Sequence, residues 1–328
     1  MIKTIARYLI LILLICGGFY LVNVISTNVD NTYSDVSDIT FNTNHSYYCA
    51  NYDYDGIDQT IVYRNDRTNE DIFSDSNYAF LIDETTGTVY AAHNIYQRMY
   101  PASMTKLVTA MVVCDKINSG EINENDLVTI DNHYDLTYEG VPYFDMETGY
   151  QITVKNLLYE LLIISNNYYA LVLADYVAGS EEEFCKLMNQ KMQEIGATNT
   201  HFVNPHGLDD PEHYSTAYDM YLITKEANTY ELINKINTCD EYFYYFFDQY
   251  NEPIECSITA GNLFYNDIIP LPANFEITNW KTGTTSGAGY CLTLRLTKDD
   301  HVYYAVASHD ESRIDMYETI VKLLCLVE

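Results

Sequence analysis

The chain has 328 residues, 48% of them apolar, and a formal net charge of −30. That length exceeds one minimal domain and suits a two-lobed enzyme with a sizeable core. The acidic balance excludes the basic footprint that a nucleic-acid partner requires.

Residues 8–25, YLILILLICGGFYLVNVI, are almost free of polar groups, and Lys3 and Arg7 precede them. At 1.5 Å rise per residue such a helix spans about 27 Å, enough for a bilayer core. The positive flank assigns residues 1–7 to the cytoplasm and everything after residue 25 to the outside. The expectation is an uncleaved, single-pass signal anchor in the cell membrane. A cleaved and secreted form is the alternative, and Cys16 after Ile15 is a weak lipoprotein signal. Residues 26–75 are rich in Asn, Asp, Ser, Thr and Tyr, and read as an acidic stalk. An extra surface layer is the alternative there, with TIVYR (60–64) as a candidate short strand.

Ordered patterning occupies residues 76–328. YAFLIDETTGTVYAAHN reads as a β-hairpin around Asp83–Gly87. Residues 103–117 read as a helix, and so do 153–164 and 168–179, broken at Ser165-Asn166-Asn167. A capping box of Ser180 and Glu183 opens the next helix and Gly196 closes it. Ser215 is expected to cap a further helix, STAYDMYLITKEANTY. Three strands follow, FEITNWKTG, GAGYCLTLRLT and HVYYAVASH, and then a last helix, IDMYETIVKLLCLV. Strands at both ends and helices between them predict an α+β fold. Its antiparallel sheet is built from both chain ends with flanking helices, beside a mainly helical lobe, with a cleft between. Seven cysteines follow residue 25, without a C-x-x-C pair, so neither a disulfide framework nor a zinc pattern is present. A Cys239–Cys256 bridge remains open.

Three motifs fall where the cleft should be. Ser103-Met104-Thr105-Lys106 sets a hydroxyl and an amine on one helix face. A lysine acts as base only when partly neutral, which burial and a nearby positive charge favour. Ser165-Asn166-Asn167 interrupts two apolar helices; it is either an ordinary turn or a hydroxyl relay with an amide clamp. Lys281-Thr282-Gly283 ends an apolar strand, where Gly283 would let a ligand approach the backbone. None of the three needs a metal or cofactor. His206, His213 and Asp219 invite a histidine-based or metal site, but a structural hydrogen-bonding role is the simpler reading.

S-x-x-K, S-x-N and K-T-G in this order are the signature of penicillin-binding proteins and class A β-lactamases. The chain resembles the D-alanyl-D-alanine carboxypeptidases of the low-molecular-mass penicillin-binding protein group, the S11 serine peptidases. YPASMTKLVTAMVV, TVKNLLYELLIISNN, WKTGTTSGAGYCLTL and the long stretch FCKLMNQKMQEIGATNTHFVNPHGLDDPEHYSTAYDM carry the likeness, which covers about residues 77–325. The resemblance implies a β-lactamase/transpeptidase-like fold and a serine DD-carboxypeptidase acting on peptidoglycan stem peptides ending in D-Ala-D-Ala, with β-lactams as covalent inhibitors. It implies that Ser103 is the nucleophile, Lys106 its base, and Ser165 and Asn167 the second wall. Lys281, Thr282 and Arg313 would hold the substrate carboxylate, and the N–H groups of Ser103 and Thr284 the oxyanion. Two features depart from the family. Asn166 replaces the usual glycine, and Tyr168-Tyr169 follow where smaller residues are common, which is expected to narrow the cleft. Many members also carry a C-terminal β-rich domain and an amphipathic anchor, a role the N-terminal segment is expected to take here. A catalytically silent wall-binding module and a β-lactamase are the alternatives. For the latter, YELIN (230–234) is the nearest look-alike of the extra glutamate motif, inside a helical pattern.

Overall fold

The computed structural model describes residues 47–54 and 57–64 as backbone, and residues 77–131, 134, 136, 146–265 and 268–327 in full. The apolar stretch 8–25 lies outside them. Among the described residues no helix is long and apolar enough to cross a membrane.

Strands β1 (Tyr47–Tyr54), β2 (Ile57–Arg64), β3 (Tyr78–Asp83) and β4 (Thr88–His93) come first. The nucleophile segment forms a 3₁₀ turn, Ala102–Thr105, that runs into α1 (Lys106–Asn118). Then follow β5 (Leu127–Thr129), β6 (Gln151–Thr153) and α2 (Val154–Tyr159), which passes into a π-helical turn, Glu160–Ile164. Helices α3 (Asn167–Ala178), α4 (Glu181–Ile195), α5 (Ala217–Ala227) and α6 (Glu231–Asn237) come next. The hairpin β7 (Glu241–Phe247) and β8 (Pro253–Thr259) precedes β9 (Glu276–Thr285), β10 (Gly289–Lys298), β11 (His301–Asp310) and α7 (Arg313–Leu324).

The main sheet has the order β1-β2-β4-β3-β11-β10-β9, so the two chain ends do share it. Its centre is β3 against β11, with Ala305 opposite Leu81 and Val306 opposite Phe80. Both strands read as continuous apolar runs rather than alternating ones. The reason is packing: α5 and α7 both lie against β11, and a strand covered on both faces has no polar side. All pairings are antiparallel except β2 with β4. Within the span read as a stalk, β1 and β2 thus add two strands to the sheet edge, and residues 60–64 fall in β2. Residues 26–46, 55–56 and 65–76 lie outside the described residues.

The second lobe is not purely helical. A four-stranded sheet, β5-β6-β7-β8, completes it. Tyr159 stacks on Tyr242 of β7 with ring centroids 3.5 Å apart, which ties this sheet to α2. Cys239 and Cys256 are free thiols. Cys256 instead faces Tyr244 across the β7–β8 pair, and the Cys239 thiol donates to the Glu241 carbonyl. Helix α4 starts as expected, with Ser180 accepting from the Glu183 N–H. Helix α5 is capped by Thr216 rather than Ser215, because Ser215 is held in a β-bridge to Met99.

Candidate active site

The chain enters the site through a strained corner. Ala102 has φ 48, the left-handed region that a residue with a Cβ rarely adopts. The next residues take 3₁₀ geometry, in which side chains three apart eclipse one another. Ser103 and Lys106 are therefore stacked more directly than an α-helical turn would place them. Lys106 Nζ lies 2.9 Å from Ser103 Oγ. The amine is fully buried, while Ser103 is partly open to solvent.

Two further partners fix the lysine. Its Nζ donates to Asn167 Oδ1 and to the His206 carbonyl, each at 2.6 Å. A neutral amine has two N–H groups and one lone pair. Two carbonyl-type acceptors use both N–H groups and leave the lone pair facing the serine hydroxyl. Burial, and then the positive charge of Lys281, hold Lys106 well below the ordinary lysine range.

The His206 carbonyl is a backbone group that no motif revealed. The stretch NPHGL folds around Asn204, whose Oδ1 accepts from the Gly207 N–H at 2.7 Å and whose Nδ2 donates to Leu208 O at 3.0 Å. Gly207 has φ +92, and a Cβ there would overlap the Ala102 carbonyl. Only glycine permits this loop to press against the nucleophile turn. The imidazoles have structural partners. His206 Nδ1 accepts from the Leu208 N–H. His213 Nδ1 accepts from the Val203 N–H, which leaves Nε2 to donate to the Thr105 hydroxyl at 2.9 Å. Burial, reinforced by neighbouring positive groups, lowers both to about 3. Asp219 accepts from the Thr200 hydroxyl.

Ser165 occupies the break between α2 and α3, with φ 66. A π-helical turn inserts one extra residue into the helix path, and such turns recur at functional sites. Behind the break, the buried Glu160 carboxyl accepts from the Tyr244 hydroxyl at 2.6 Å and is hydrogen-bonded to the Asn166 side chain. Asn166 Oδ1 also caps α3 by accepting from the Tyr168 N–H. The residue that departs from the family pattern is thus tied down on two sides. Tyr168 and Tyr169 do not narrow the cleft. Both are buried, with Tyr168 packed edge-on to Tyr134 and Tyr169.

Lys281, also fully buried, sits mid-strand on β9, the edge of the main sheet. Its Nζ donates to the Thr282 carbonyl at 2.9 Å and lies 3.0 Å from Ser165 Oγ. Burial lowers it to about 7. Gly283 is needed for a different reason from the expected one. A Cβ there would stand 2.9 Å from both Ala102 Cβ and the Ser103 nitrogen, so the nucleophile turn, not a ligand, fills the space. The same packing sets Ser103 against the strand that carries Thr284. The hairpin after β9 is pinned by Asp209, which accepts from the Thr285 hydroxyl at 2.5 Å and the Gly287 N–H at 2.8 Å.

The structure brings Ser103, Lys106, Ser165, Asn167 and Lys281 into one hydrogen-bonded cluster, with Thr282, Gly283 and Thr284 on its wall. It does not bring Arg313 into contact with that cluster. Arg313 starts α7, and its guanidinium bonds the Gly261 carbonyl and the Tyr317 hydroxyl one turn on.

The sequence profile of peptidase S11, D-alanyl-D-alanine carboxypeptidase, matches residues 65–311. The chain belongs to this family. It is 33% identical over 258 residues to D-alanyl-D-alanine carboxypeptidase DacF of Bacillus subtilis, covering 79% of this chain and 63% of that protein. It is 33% identical over 236 residues to DacA of Escherichia coli, covering 68% and 53%. The chain therefore spans between half and two thirds of the length of these curated relatives. Among solved structures, penicillin binding protein 5 from Haemophilus influenzae superposes with a TM-score of 0.64 at 28% identity, over 75% of this chain and 68% of that one. The Streptomyces K15 DD-transpeptidase superposes at 0.69 with 22% identity, over 76% and 95%, a likeness of fold alone. The fold is accordingly β-lactamase/transpeptidase-like, as the family resemblance implied.

Proposed function

We propose that the chain is a penicillin-sensitive serine D-Ala-D-Ala carboxypeptidase that removes the terminal D-Ala from peptidoglycan stem peptides. The observation that carries this reading is the buried Lys106 amine, 2.6 Å from two carbonyl oxygens and 2.9 Å from Ser103 Oγ, so that in its neutral form the two N–H bonds are taken by the carbonyls and the lone pair is left for the hydroxyl. Lys106 takes the Ser103 proton as Oγ bonds the carbonyl carbon of the penultimate D-Ala. The N–H groups of Ser103 and Thr284 receive the oxyanion. The C–N bond then breaks, and the proton passes through the Ser165 hydroxyl to the departing D-Ala nitrogen. Water, deprotonated by Lys106, cleaves the ester and restores the serine. Lys281 and Thr282 hold the terminal carboxylate, and the Asn167 amide N–H₂ receives a substrate carbonyl. Arg313 has no part in this scheme. A β-lactam enters the same acylation and stays bound because its leaving group remains attached.

The residues before the domain fit a role at the cell wall. Lys3 and Arg7 ahead of the apolar stretch 8–25 support a signal anchor with everything after it extracytoplasmic, a spacer and then the catalytic domain, whose sheet edge takes in β1 and β2. The test is D-alanine release from an N-acylated tripeptide ending in D-Ala-D-Ala. Release by the wild type and its loss in Ser103→Ala are expected. Release at the wild-type rate by Ser103→Ala would remove the nucleophile assignment.

A further inference from the structure

Beside the tip of the β9–β10 hairpin lies a cavity of about 360 Å³ with walls that include Tyr78, Arg98, Tyr100, Tyr214, Gly287 and His309. It belongs to the same two segments that build the site. Tyr100 lies three residues before Ser103, and Gly287 three residues after Thr284. The two touch: a Cβ at Gly287 would stand 3.0 Å from the Tyr100 ring.

Its charge is unusual for this molecule. The chain carries a net charge of −30, yet the exposed Arg98 guanidinium makes no ion pair with any described residue. It lies flat over the Tyr214 ring, 3.8 Å from the centroid. A stacked guanidinium keeps its N–H edges free for a planar, bidentate acceptor. His309 stands across the cavity, edge-on to Tyr78 at 6.3 Å. It is exposed, and its φ of 65 belongs to the β-bulge where Ser308 and His309 oppose Cys291, which turns the ring out of the ladder. Asp209, the carboxylate that pins the hairpin tip, is already occupied by Thr285 and Gly287.

The direction of the substrate then follows from the catalytic reading, on which this inference rests. With the terminal carboxylate at Lys281 and Thr282 and the scissile carbonyl at Thr284, a peptide lying along β9 runs from its C-terminus toward the hairpin tip. Extended chain advances about 3.3 Å per residue, so residues upstream of the scissile bond are carried toward the Arg98 cavity.

We propose that this cavity is an acyl-side subsite that binds a carboxylate borne by the substrate peptide upstream of the scissile bond, with Arg98 as principal anchor and His309 as a second donor. The substrate class is thereby narrowed to D-Ala-D-Ala peptides with an acidic upstream residue.

The test uses the full chain and two peptides of equal length that end in D-Ala-D-Ala and differ only in an upstream carboxylate against its carboxamide. The wild type should favour the carboxylate in kcat/KM by about 10- to 100-fold, the range for a charge-assisted bond. Arg98→Gln should bring that ratio to about one, with the loss falling on the carboxylate peptide. Arg98→Lys should keep part of it, and His309→Gln should reduce it by less. A wild-type ratio of one, or an Arg98→Gln chain that slows both peptides alike and keeps the ratio, overturns the subsite. Calorimetric binding of both peptides to Ser103→Ala reads the same preference without turnover. A chain that binds the carboxylate peptide preferentially but releases no D-alanine therefore contradicts the catalytic reading and supports the subsite.

Discussion

Lys106 and Lys281 are both without exposed surface, and neither is paired with a carboxylate among the described residues. A buried ammonium without a counter-ion is costly, so both are pushed toward the neutral form. Their neighbours differ. Around Lys106, two carbonyl oxygens take both N–H bonds and a hydroxyl faces the lone pair. Around Lys281, one carbonyl and the Ser165 hydroxyl leave the third N–H of the ammonium without a partner among the described residues. The first environment suits a base and the second an anion receptor. Acceptor count, rather than burial, separates the two roles.

The comparison breaks most severely if a charge that cannot be lost replaces the base. Lys106→Arg should slow acylation by a β-lactam by about 10³-fold or more, since general-base catalysis of that order is removed and guanidinium does not deprotonate. Lys281→Arg keeps the positive charge and should lose only about tenfold, mainly in KM, because the guanidinium misfits a buried ammonium site by a cost near one hydrogen bond. Equal losses in the two variants would erase the distinction.

Gly207→Ala attacks the Lys106 side alone. The new methyl would collide with the Ala102 carbonyl in a left-handed backbone, and a loss of about 2 kcal/mol or more in denaturant unfolding is expected. The displaced loop also carries the His206 carbonyl, so acylation should fall more than substrate binding. The smallest effect is expected from Tyr244→Phe, which removes one hydrogen bond to Glu160 behind the Ser165 loop. About 1 kcal/mol of stability and a few-fold loss in kcat should follow. An unchanged kcat would mean that the Glu160–Asn166–Tyr244 network does not position Ser165.

Much of this site was legible in the sequence because its side chains come in short fixed spacings. Ser103 and Lys106 are one turn apart, and Ser165 and Asn167 stand where two apolar helices break. The antiparallel sheet was legible from apolar runs at both ends. What escaped was carried by backbone or by tertiary partners. The His206 carbonyl has no side-chain signature, and the left-handed φ of Ala102 and Ser165 belongs to residues that give no warning of it. Strand β8 alternates apolar and polar residues and β7 is an aromatic run after Glu241, but only packing of Tyr242 and Tyr244 onto α2 and the π-helical turn makes them a lobe. Arg313 was assigned by its place after the last strand. The start of α7 turns it along the helix to Tyr317, a neighbour one turn away.

The most direct test of the account is the pH dependence of benzylpenicillin acylation, followed by intact mass with the adduct mapped to Ser103. Lys106 must be neutral to accept the serine proton, and its protonation is favoured only far below 10.5. Lys281 must be charged to receive the antibiotic's carboxylate, and it loses its proton at about 7 in the free enzyme. The predicted second-order rate therefore rises on the acid side as Lys106 loses its proton and falls above about 7 as Lys281 loses its own, a bell that reports the free enzyme's two lysines. A rate that climbs steadily toward the ordinary lysine range near 10.5, with no fall above neutrality, would contradict both assignments.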